Sequence, residues 1–297
     1  AAGGEIRREN TAVGLATVVA ANADLIPVLA AHPAIAGVAR NRSIGSVPRP
    51  SAGAPAARHR TGEARTVEQE GRADRRAPAA PQRGSRGGLT EPLAALQWDN
   101  QAINATATGS YRVEQGDRRV LVGVMDTGVD GSHPDIAPNF DRRLSRNFTV
   151  DIPVDANGDP VDGPCEEEPD RSCTDPPDVD ENEHGTHVAS AIASPINGLG
   201  VAGVAPKVRI VNLRVGQDSG YFFLQPTVDA LTYAADHGID VVNMSYYIDP
   251  WLFNCVDNPA DSPEDRLEQA TIIKAVQRAL DYAHRHNVTL IAAAGNQ

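Results

Sequence analysis

Short apolar runs that end in polar residues recur along the second half of the chain. The first, "RRVLVGVMDTG", ends in Asp126-Thr-Gly, and similar runs cover 208–215, 240–246 and 288–296. Continuous apolar runs of this length predict strands that are buried on both faces. Such strands are typical of parallel sheets whose two faces are covered by helices.

The segments between these runs carry apolar residues at helical spacing. They predict helices over 184–194, 225–237 and 264–286, the last with Asn287 as its C-cap. Its apolar positions are Leu267, Ile272, Ile273, Val276, Leu280 and Ala283. Strands that alternate with helices predict an α/β fold, a parallel β-sheet flanked by helices.

Polar residues follow several of the predicted strands. Asp126 ends the first, the segment 243–245 (Asn-Met-Ser) ends the third, and Gly295-Asn296 ends the fourth. Ligand and catalytic groups collect at the carboxyl ends of parallel strands. We therefore expect these polar groups to converge on one rim of the sheet, with His184 opening a helix beside them.

The first part of the chain has a different composition. Residues 1–48 show apolar periodicity interrupted by His-Pro, which predicts a small α+β unit or its remnant. Residues 49–88 are mostly Arg, Ala, Pro, Gly and Ser, and bury too little apolar surface to offset chain entropy. This segment is expected to be a disordered linker whose arginine pairs are protease cleavage points.

The net charge of −12 is unevenly distributed. Residues 1–88 carry 13 Arg against 7 Asp plus Glu, a net +6, so the remainder carries −18. An acidic main body repels nucleic acid and anionic membranes, so neither is expected as a partner, although the basic stretch could bind either. The sequence has no apolar run of about 18 residues that would span a membrane. It begins at Ala1 without a signal segment, so we expect a processed or trimmed product.

Two of the three cysteines lie close together in a polar loop. Cys165 and Cys173 fall within "DGPCEEEPDRSCTDPPD", which is too polar to bury free thiols. A local disulfide between them is expected, and it would place the protein in an oxidising, extracellular compartment. Cys255 then either pairs outside this chain or stays a free thiol.

The pair of histidines in "ENEHGTHVASAIAS" has three interpretations. Zinc helices usually carry His at i and i+4 with an intervening Glu, whereas His184 and His187 are three apart and separated by Gly-Thr. Asp126 alone could be a turn or capping residue. Together, Asp126 and His184 are better explained as a carboxylate that orients an imidazole general base. His187 is then expected to be a packed or hydrogen-bonded neighbour.

Five sequence blocks, in order, resemble those of the subtilisin-like serine proteases, the subtilases. They are "VMDTGVDGSHPDI" (124–136), "HGTHVA" (184–189), "GVAGVAPKVRI" (200–210), "GIDVVNMS" (238–245) and "TLIAAAGN" (289–296). The resemblance implies a subtilisin-like fold and a secreted serine-type endopeptidase that acts on polypeptides as a monomer when full length. It makes Asp126 and His184 members of the Asp-His-Ser triad and Asn296 the oxyanion-hole amide.

The resemblance also divides the chain into three parts. Residues 1–48 resemble an inhibitory, I9-like propeptide, 49–88 form its linker, and 89–297 are the amino-terminal part of the catalytic domain. The family's nucleophile lies in a Gly-Thr-Ser block, which is absent from this sequence, and Ser190 and Ser245 occupy other family positions. We expect a catalytic domain that is incomplete at its carboxyl terminus and a chain that is inactive and aggregation-prone alone.

A calcium site is a further implication of the family resemblance. The loop 194–206 matches the family's calcium loop in length and glycine spacing. By position, Asp135 and Asn197 supply side-chain oxygens, and Pro195, Leu199 and Val201 supply carbonyls, all of them hard oxygen ligands. An ordinary glycine-rich turn is the alternative. The insert 151–183, with 13 acidic residues, lacks EF-hand spacing, so it is either a solvated, disulfide-pinned loop or a second calcium site.

The substrate-binding segment departs from the family pattern. Where relatives carry Ser-Leu-Gly-Gly, this chain reads Ser245-Tyr246-Tyr247-Ile248, and the two tyrosines are expected to narrow the pocket. The family's usual preference for large apolar side chains therefore does not transfer directly. Two non-enzymatic hypotheses stay open: a subtilase-like binding protein whose tyrosines fill the cleft, and a calcium-binding surface protein.

Overall fold

A computed structural model describes residues 4–20, 25–47, 89–150, 152–154, 158, 175–248 and 258–294. The strands are β1 (Gly4–Asn10), β2 (Leu15–Ala20), β3 (Gly45–Ser46), β4 (Leu121–Met125), β5 (Arg146–Asn147), β6 (Arg209–Arg214), β7 (Tyr221–Phe222), β8 (Val241–Met244) and β9 (Thr289–Ala292). The α-helices are α1 (Leu25–Ala30), α2 (Trp98–Ala102), α3 (His184–Ala193), α4 (Leu224–Asp236) and α5 (Pro263–Arg285).

A five-stranded parallel sheet organises the described part of the chain. Its strand order is β5-β6-β4-β8-β9, so β4 is central, between β6 and β8. All five residues of β4 are buried, as its continuous apolar sequence predicts. The predicted α/β fold with a parallel β-sheet flanked by helices is confirmed.

Alternate residues of β4 supply the cores on the two faces of the sheet. Leu121 and Met125 belong to one apolar cluster, together with residues of α4 and α5. Val122 and Val124 belong to a second, with Ala189 of α3. This alternation follows the period of two along a strand. It fixes the carboxyl end of β4, and hence Asp126, between the two layers of helices.

The long helix α5 is partly as predicted. Ile272, Val276 and Ala283 are buried, and Asn287 adopts the left-handed conformation, φ 65°, just after the helix. Leu267, expected on the apolar face, is 70% exposed. The neighbouring Glu268 is buried instead, because it forms an ion pair with Arg40.

The α+β unit predicted at the start of the chain is present within 4–47. β1 and β2 form an antiparallel hairpin, followed by the short α1 and then by β3. Arg8 and Asn10 of the hairpin both contact Asp229 of α4, at 2.7 and 2.8 Å. None of the helices in the described ranges combines the length and apolar character that crossing a membrane requires.

Candidate active site

Asp126 follows directly on the central strand, at the carboxyl edge of the sheet. It is completely buried, and its backbone oxygen accepts hydrogen bonds from the amides of Val215 and Gly216, each at 3.0 Å. Its Oδ1 accepts the Thr127 amide at 2.8 Å. Backbone hydrogen bonds from the end of β6 and from its own turn therefore hold the carboxylate in place.

His184 is the first residue of α3 and faces Asp126. Its Nδ1 lies 2.8 Å from Asp126 Oδ1. A carboxylate can only accept, so Nδ1 carries the proton and Nε2 keeps the lone pair that takes up a proton. The His184 side chain is 27% exposed, so the ring reaches the surface while its carboxylate partner stays buried.

The surroundings shift the ionisation of both groups. The hydrogen bond to Asp126 raises the pKa of His184, and the negative charge of Asp180 raises it further, against burial of the ring. Burial raises the pKa of Asp126, while the contacts with His184 and Thr127 act in the opposite direction. The pair therefore favours an imidazole that can take a proton and be stabilised as an imidazolium.

A second carboxylate, Asp180, organises the start of α3. Its Oδ1 accepts from the Glu183 amide at 3.1 Å and from Thr127 Oγ1 at 3.0 Å. Its Oδ2 accepts from the amide and the hydroxyl of Thr186, at 2.8 and 2.6 Å. The Gly185 amide in turn donates to Thr127 Oγ1 at 3.1 Å. Asp180 thus ties the helix that carries His184 to the turn that follows Asp126.

Two glycines allow this helix and this turn to approach. A Cβ at Gly185 would overlap the carbonyl oxygen of Gly128 and lie 3.0 Å from Asp126 Cβ. Gly128 has φ 145°, and a Cβ there would lie 2.5 Å from the Val179 carbonyl oxygen. The 2.8 Å contact between Asp126 and His184 therefore depends on the absence of side chains at both positions.

The other residues of the predicted catalytic set differ in position. His187 is exposed on α3, so of the two predicted roles, packed or hydrogen-bonded, the packed one is wrong. Ser190 donates to the His187 carbonyl at 2.7 Å, and Ser245 accepts from Asn243 at 2.8 Å. Asn296 lies outside the described residues, as do Cys165, Cys173 and Cys255.

The two tyrosines after β8 occupy different environments. Tyr246 is 5% exposed and stacks on Phe222 of β7, with ring centroids 3.9 Å apart. Tyr247 is 54% exposed, and its phenol oxygen lies 2.9 Å from Ser46 Oγ. Tyr246 is therefore part of the core, whereas Tyr247 faces the short strand β3, which lies beside β7.

The residues predicted to bind calcium are partly brought together. Asp135 is 4% exposed and accepts from Asn197 Nδ2 at 3.2 Å and from the Val201 amide at 3.1 Å. Asn197 Oδ1 accepts from the Leu199 amide at 2.8 Å. Burial raises the pKa of the Asp135 carboxyl. Pro195 is half-buried in the same loop, with its place among the ligands still a prediction.

Glu91 joins this loop and was missed in the sequence. It is 4% exposed, and its Oε1 accepts the Gly198 amide at 3.0 Å. Its other oxygen, Oε2, is buried and accepts no hydrogen bond from the described residues. A buried carboxylate oxygen next to the loop that also contacts Asp135 suits a hard cation such as calcium. No local sequence pattern assigns Glu91 to this site, because more than 100 residues separate it from the loop.

A group of three acidic residues lies beside a buried arginine. Asp175, Glu181 and Asp218 each place a carboxylate oxygen within 4.8 Å of the others. The fully buried Arg214 pairs with Asp175 at 2.7 Å and with Asp218 at 2.5 Å. The buried Arg214 guanidinium thus already supplies positive charge to two of these three carboxylates.

Comparisons with known proteins find a family model and similar proteases. The model of the subtilase family matches residues 117–297, about three fifths of the chain. A thermophilic serine proteinase from Bacillus sp. (strain AK1) is 31% identical over 188 residues, covering 63% of this chain and 35% of that protein. The minor extracellular protease Vpr of Bacillus subtilis (strain 168) is 27% identical over 208 residues, or 70% and 21% of the two lengths.

A solved structure shares the fold. Fervidolysin from Fervidobacterium pennivorans, a keratinolytic enzyme related to subtilisin, superposes with a TM-score of 0.56 at 21% identity. The match covers 99% of this chain and 37% of fervidolysin. This chain therefore spans well under half the length of these relatives. The ordered sequence blocks, the parallel sheet and the family match together show that the chain belongs to the subtilase family of serine proteases.

Proposed function

We propose that this chain contributes the carboxylate and the general base of a secreted subtilisin-like serine endopeptidase. The 2.8 Å contact between His184 Nδ1 and the buried Asp126 is the observation that carries the proposal. In this reaction Nε2 of His184 takes the proton of a serine hydroxyl as the hydroxyl attacks the peptide carbonyl. Asp126 stabilises the resulting imidazolium, which then protonates the leaving amine.

The nucleophile and the oxyanion hole belong to the same proposal. We place the nucleophilic serine outside residues 1–297, because the sequence has no Gly-Thr-Ser block. We assign Asn296 to the oxyanion hole by its family position. An amide donor there typically contributes about 3 to 4 kcal/mol to transition-state stabilisation. Residues 1–297 alone are then expected to lack peptidase activity.

The N-terminal part is proposed to act as the enzyme's own propeptide. Three segments follow: 1–48 as the propeptide, 49–88 as its linker and 89–297 as part of the catalytic domain. Support comes from β3, which pairs antiparallel with β7 in the groove beside Tyr247. A segment in that position blocks access for a polypeptide substrate.

A structural calcium ion is proposed in the loop after α3. Asp135 and Asn197 would hold it through side-chain oxygens, Pro195, Leu199 and Val201 through carbonyls, and Glu91 is added to this set. Support comes from the buried Asp135 and from the Glu91 oxygen that accepts no hydrogen bond. The ion would supply positive charge between buried carboxylates and tie α3 to the segment before β4.

Secretion is supported by the expected Cys165–Cys173 disulfide and by the extracellular character in the name of the relative Vpr. The disulfide prediction stays untested, since both cysteines lie outside the described residues. Polypeptides are the proposed substrates, with the full-length protein acting as a monomer.

The test uses the full-length gene product and two readouts, hydrolysis of labelled casein and labelling by a fluorophosphonate that reacts with activated serines. Asp126→Asn is expected to lower kcat by about 10⁴-fold, and His184→Ala by about 10⁶-fold. His187→Ala is the matched control, since this exposed histidine lies one turn away, and it should retain activity. Absence of both hydrolysis and labelling in the wild-type protein would overturn the proposal in favour of a non-catalytic binding protein.

A further inference from the structure

A four-residue segment lies extended in the groove between β7 and residues 245–248. Its backbone amides pair with β7: Ile44 N donates to Phe222 O at 2.8 Å, and Val47 N donates to Gly220 O at 2.9 Å. Tyr247 lies on the other side, in contact with Ser46. We call this feature the β7 groove, lined by residues 220–222 and 245–248, and Ile44–Val47 its occupant.

The carboxyl end of the occupant lies near the residues that precede the candidate catalytic histidine. A Cβ at Gly220 would lie 2.6 Å from Val47 Cγ2 and 3.4 Å from Asn182 Nδ2. Val47 is therefore beside Asn182, two residues before His184, whereas Ile44 is at the far end of the β7 groove. This direction orders the positions of any polypeptide that binds in the same way.

The position of Ile44 requires a large apolar side chain. Ile44 is 1% exposed and belongs to the same apolar cluster as Phe222 and Tyr246. These two rings are stacked nearly parallel, at 7°, and are themselves buried. A polar or small side chain at this position would leave apolar surface unfilled or bury an unpaired polar group.

The position of Gly45 excludes a side chain. A Cβ there would overlap the Tyr247 carbonyl oxygen and lie 3.0 Å from its carbonyl carbon. Both obstacles are backbone atoms, so a rotamer change of Tyr247 gives no relief. Alanine at this position requires the strand to move away from Tyr247.

The position of Ser46 carries a hydroxyl that Tyr247 contacts. Ser46 Oγ and the Tyr247 phenol are 2.9 Å apart, and either can donate the hydrogen bond. Tyr247 is one of the residues by which this chain departs from the glycines usual in the family. The Tyr247 side chain therefore favours a residue with a hydroxyl group at this position.

We propose that the β7 groove selects polypeptide segments by three consecutive positions: a large aliphatic residue, then glycine, then a residue with a hydroxyl group. The proposal rests on the proposed peptidase function and adds to it the class of sequence that the enzyme accepts. Glycine is the most restrictive of the three positions, because its limit is set by backbone atoms.

The main test is cleavage of internally quenched peptides by the full-length gene product. The parent peptide carries the sequence of residues 40–47, "RNRSIGSV", followed by a variable extension. Alanine at the Gly45 position should lower kcat/KM about tenfold or more, and alanine at Ile44 to a similar extent. Alanine at the exposed Asn41 position is the control and should have no effect. Equal kcat/KM for the glycine and alanine peptides would overturn the proposal.

A double-mutant cycle tests the contact between Ser46 and Tyr247. Alanine at the Ser46 position should lower kcat/KM about fivefold with the wild-type enzyme, the value of one ordinary hydrogen bond. With the Tyr247→Phe enzyme the same change in the peptide should have no effect. An equal loss of kcat/KM in both enzymes would show that Tyr247 does not recognise the hydroxyl group.

A hydrogen-exchange measurement, which needs no catalysis, separates failure of this inference from failure of the peptidase function. In the full-length His184→Ala variant, hydrogen exchange reports the Ile44 and Val47 amides, which bond to β7. Adding Gly45→Ala should speed exchange at these two amides about tenfold, while the β1–β2 hairpin amides stay unchanged. Unchanged exchange at Ile44 and Val47 would overturn the selection of glycine, whatever the protein's activity.

Discussion

The Asp180 carboxylate shows how a single residue acts on the site without touching a reacting atom. It accepts from Glu183, Thr186 and Thr127, so it fixes both the helix start and the turn after Asp126. Its charge also raises the pKa of His184. We therefore class Asp180 as a positioning residue.

The first prediction concerns Asp180→Asn. Loss of the negative charge lowers the pKa of His184, because that charge favours the imidazolium. A general base must be neutral, so the acidic limb of the kcat/KM profile should move to lower pH. Misplacement of the ring should also lower kcat/KM at the optimum, by about tenfold. The measurement is a pH–rate profile of the full-length enzyme.

The control for this change is Asp178→Asn. Asp178 lies in the same loop and pairs with the partly exposed Arg142 on the surface. Its removal takes away the same charge and should leave the acidic limb in place. An acidic limb that stays in place for Asp180→Asn as well would contradict the electrostatic role.

At the scale of single residues, the sequence predicts site residues that end a strand or begin a helix. It misses residues that reach the site from other segments of the chain. Asp126 and His184 were predicted because one ends a strand and the other opens a helix, and their contact is present. Asp180 was one of 13 acidic residues in an insert without periodicity. Arg214 was part of a strand run, and nothing local signals that it is completely buried against two carboxylates.

At the scale of elements, the hydrophobic pattern located the three long helices to within one residue of their bounds, and each of the four principal strands lies inside its predicted run. Continuous apolar runs are sufficient because both faces of the sheet are covered. The short β5 and β7 could not be predicted from such runs, since each has two residues and depends on its neighbour. β7 in particular pairs with β3, a segment more than 170 residues earlier.

The second prediction concerns the start of α5. Ser262 Oγ accepts the Asp265 amide at 3.1 Å, and Pro263 follows it. Ser262→Ala should reduce the stability of the first helical turn by about 1 kcal/mol. Hydrogen exchange at the amides of this turn measures the change. Ser262→Asp, which keeps a capping oxygen, should exchange like the wild type, and identical exchange in the alanine variant would contradict the cap.

The third prediction concerns the loop after α3 and its proposed calcium ion. At a calcium concentration about 100-fold above Kd, the free energy of unfolding should rise by about 2.7 kcal/mol. A chelator should reverse the rise. The change is read as the shift in Tm during thermal unfolding.

Variants distinguish this site from general ion effects. Asp135→Asn and Glu91→Gln should abolish most of the calcium-dependent shift in Tm. Asp99→Asn removes an exposed carboxylate from the nearby α2 and should respond like the wild type. A full calcium response in Asp135→Asn would show that the ion binds elsewhere.

At the scale of the whole molecule, charge joins the N-terminal part to the sheet and its helices. Arg8 pairs with Asp229 of α4 at 2.7 Å, and Arg40 pairs with the buried Glu268 of α5 at 2.7 Å. Arg42 also lies 3.8 Å from Glu268. Arginines of the N-terminal part thus pair with carboxylates of the two helices on the sheet.

The fourth prediction concerns Arg40→Ala. The substitution removes one of the two positive charges that compensate the nearly buried Glu268 carboxylate. Docking of residues 4–47 should weaken by about 1 to 2 kcal/mol. The loss is no larger because Arg40 is partly exposed and Arg42 remains. The Ile44 and Val47 amides should then exchange about tenfold faster. Arg7→Ala removes an exposed arginine whose ion pair among the described residues is with the exposed Glu5, and it serves as the control. Equal exchange rates in the two variants would contradict the role of Arg40.

The pairing of β3 with β7 has a consequence for how the β7 groove responds to dilution. The 41 residues between Val47 and Leu89 are a covalent tether, so Ile44–Val47 acts at a local concentration that dilution of the protein does not change. A free peptide must compete with that local concentration, however dilute the protein is. Once the tether is cut, occupancy follows the bulk concentration, and dilution alone empties the β7 groove.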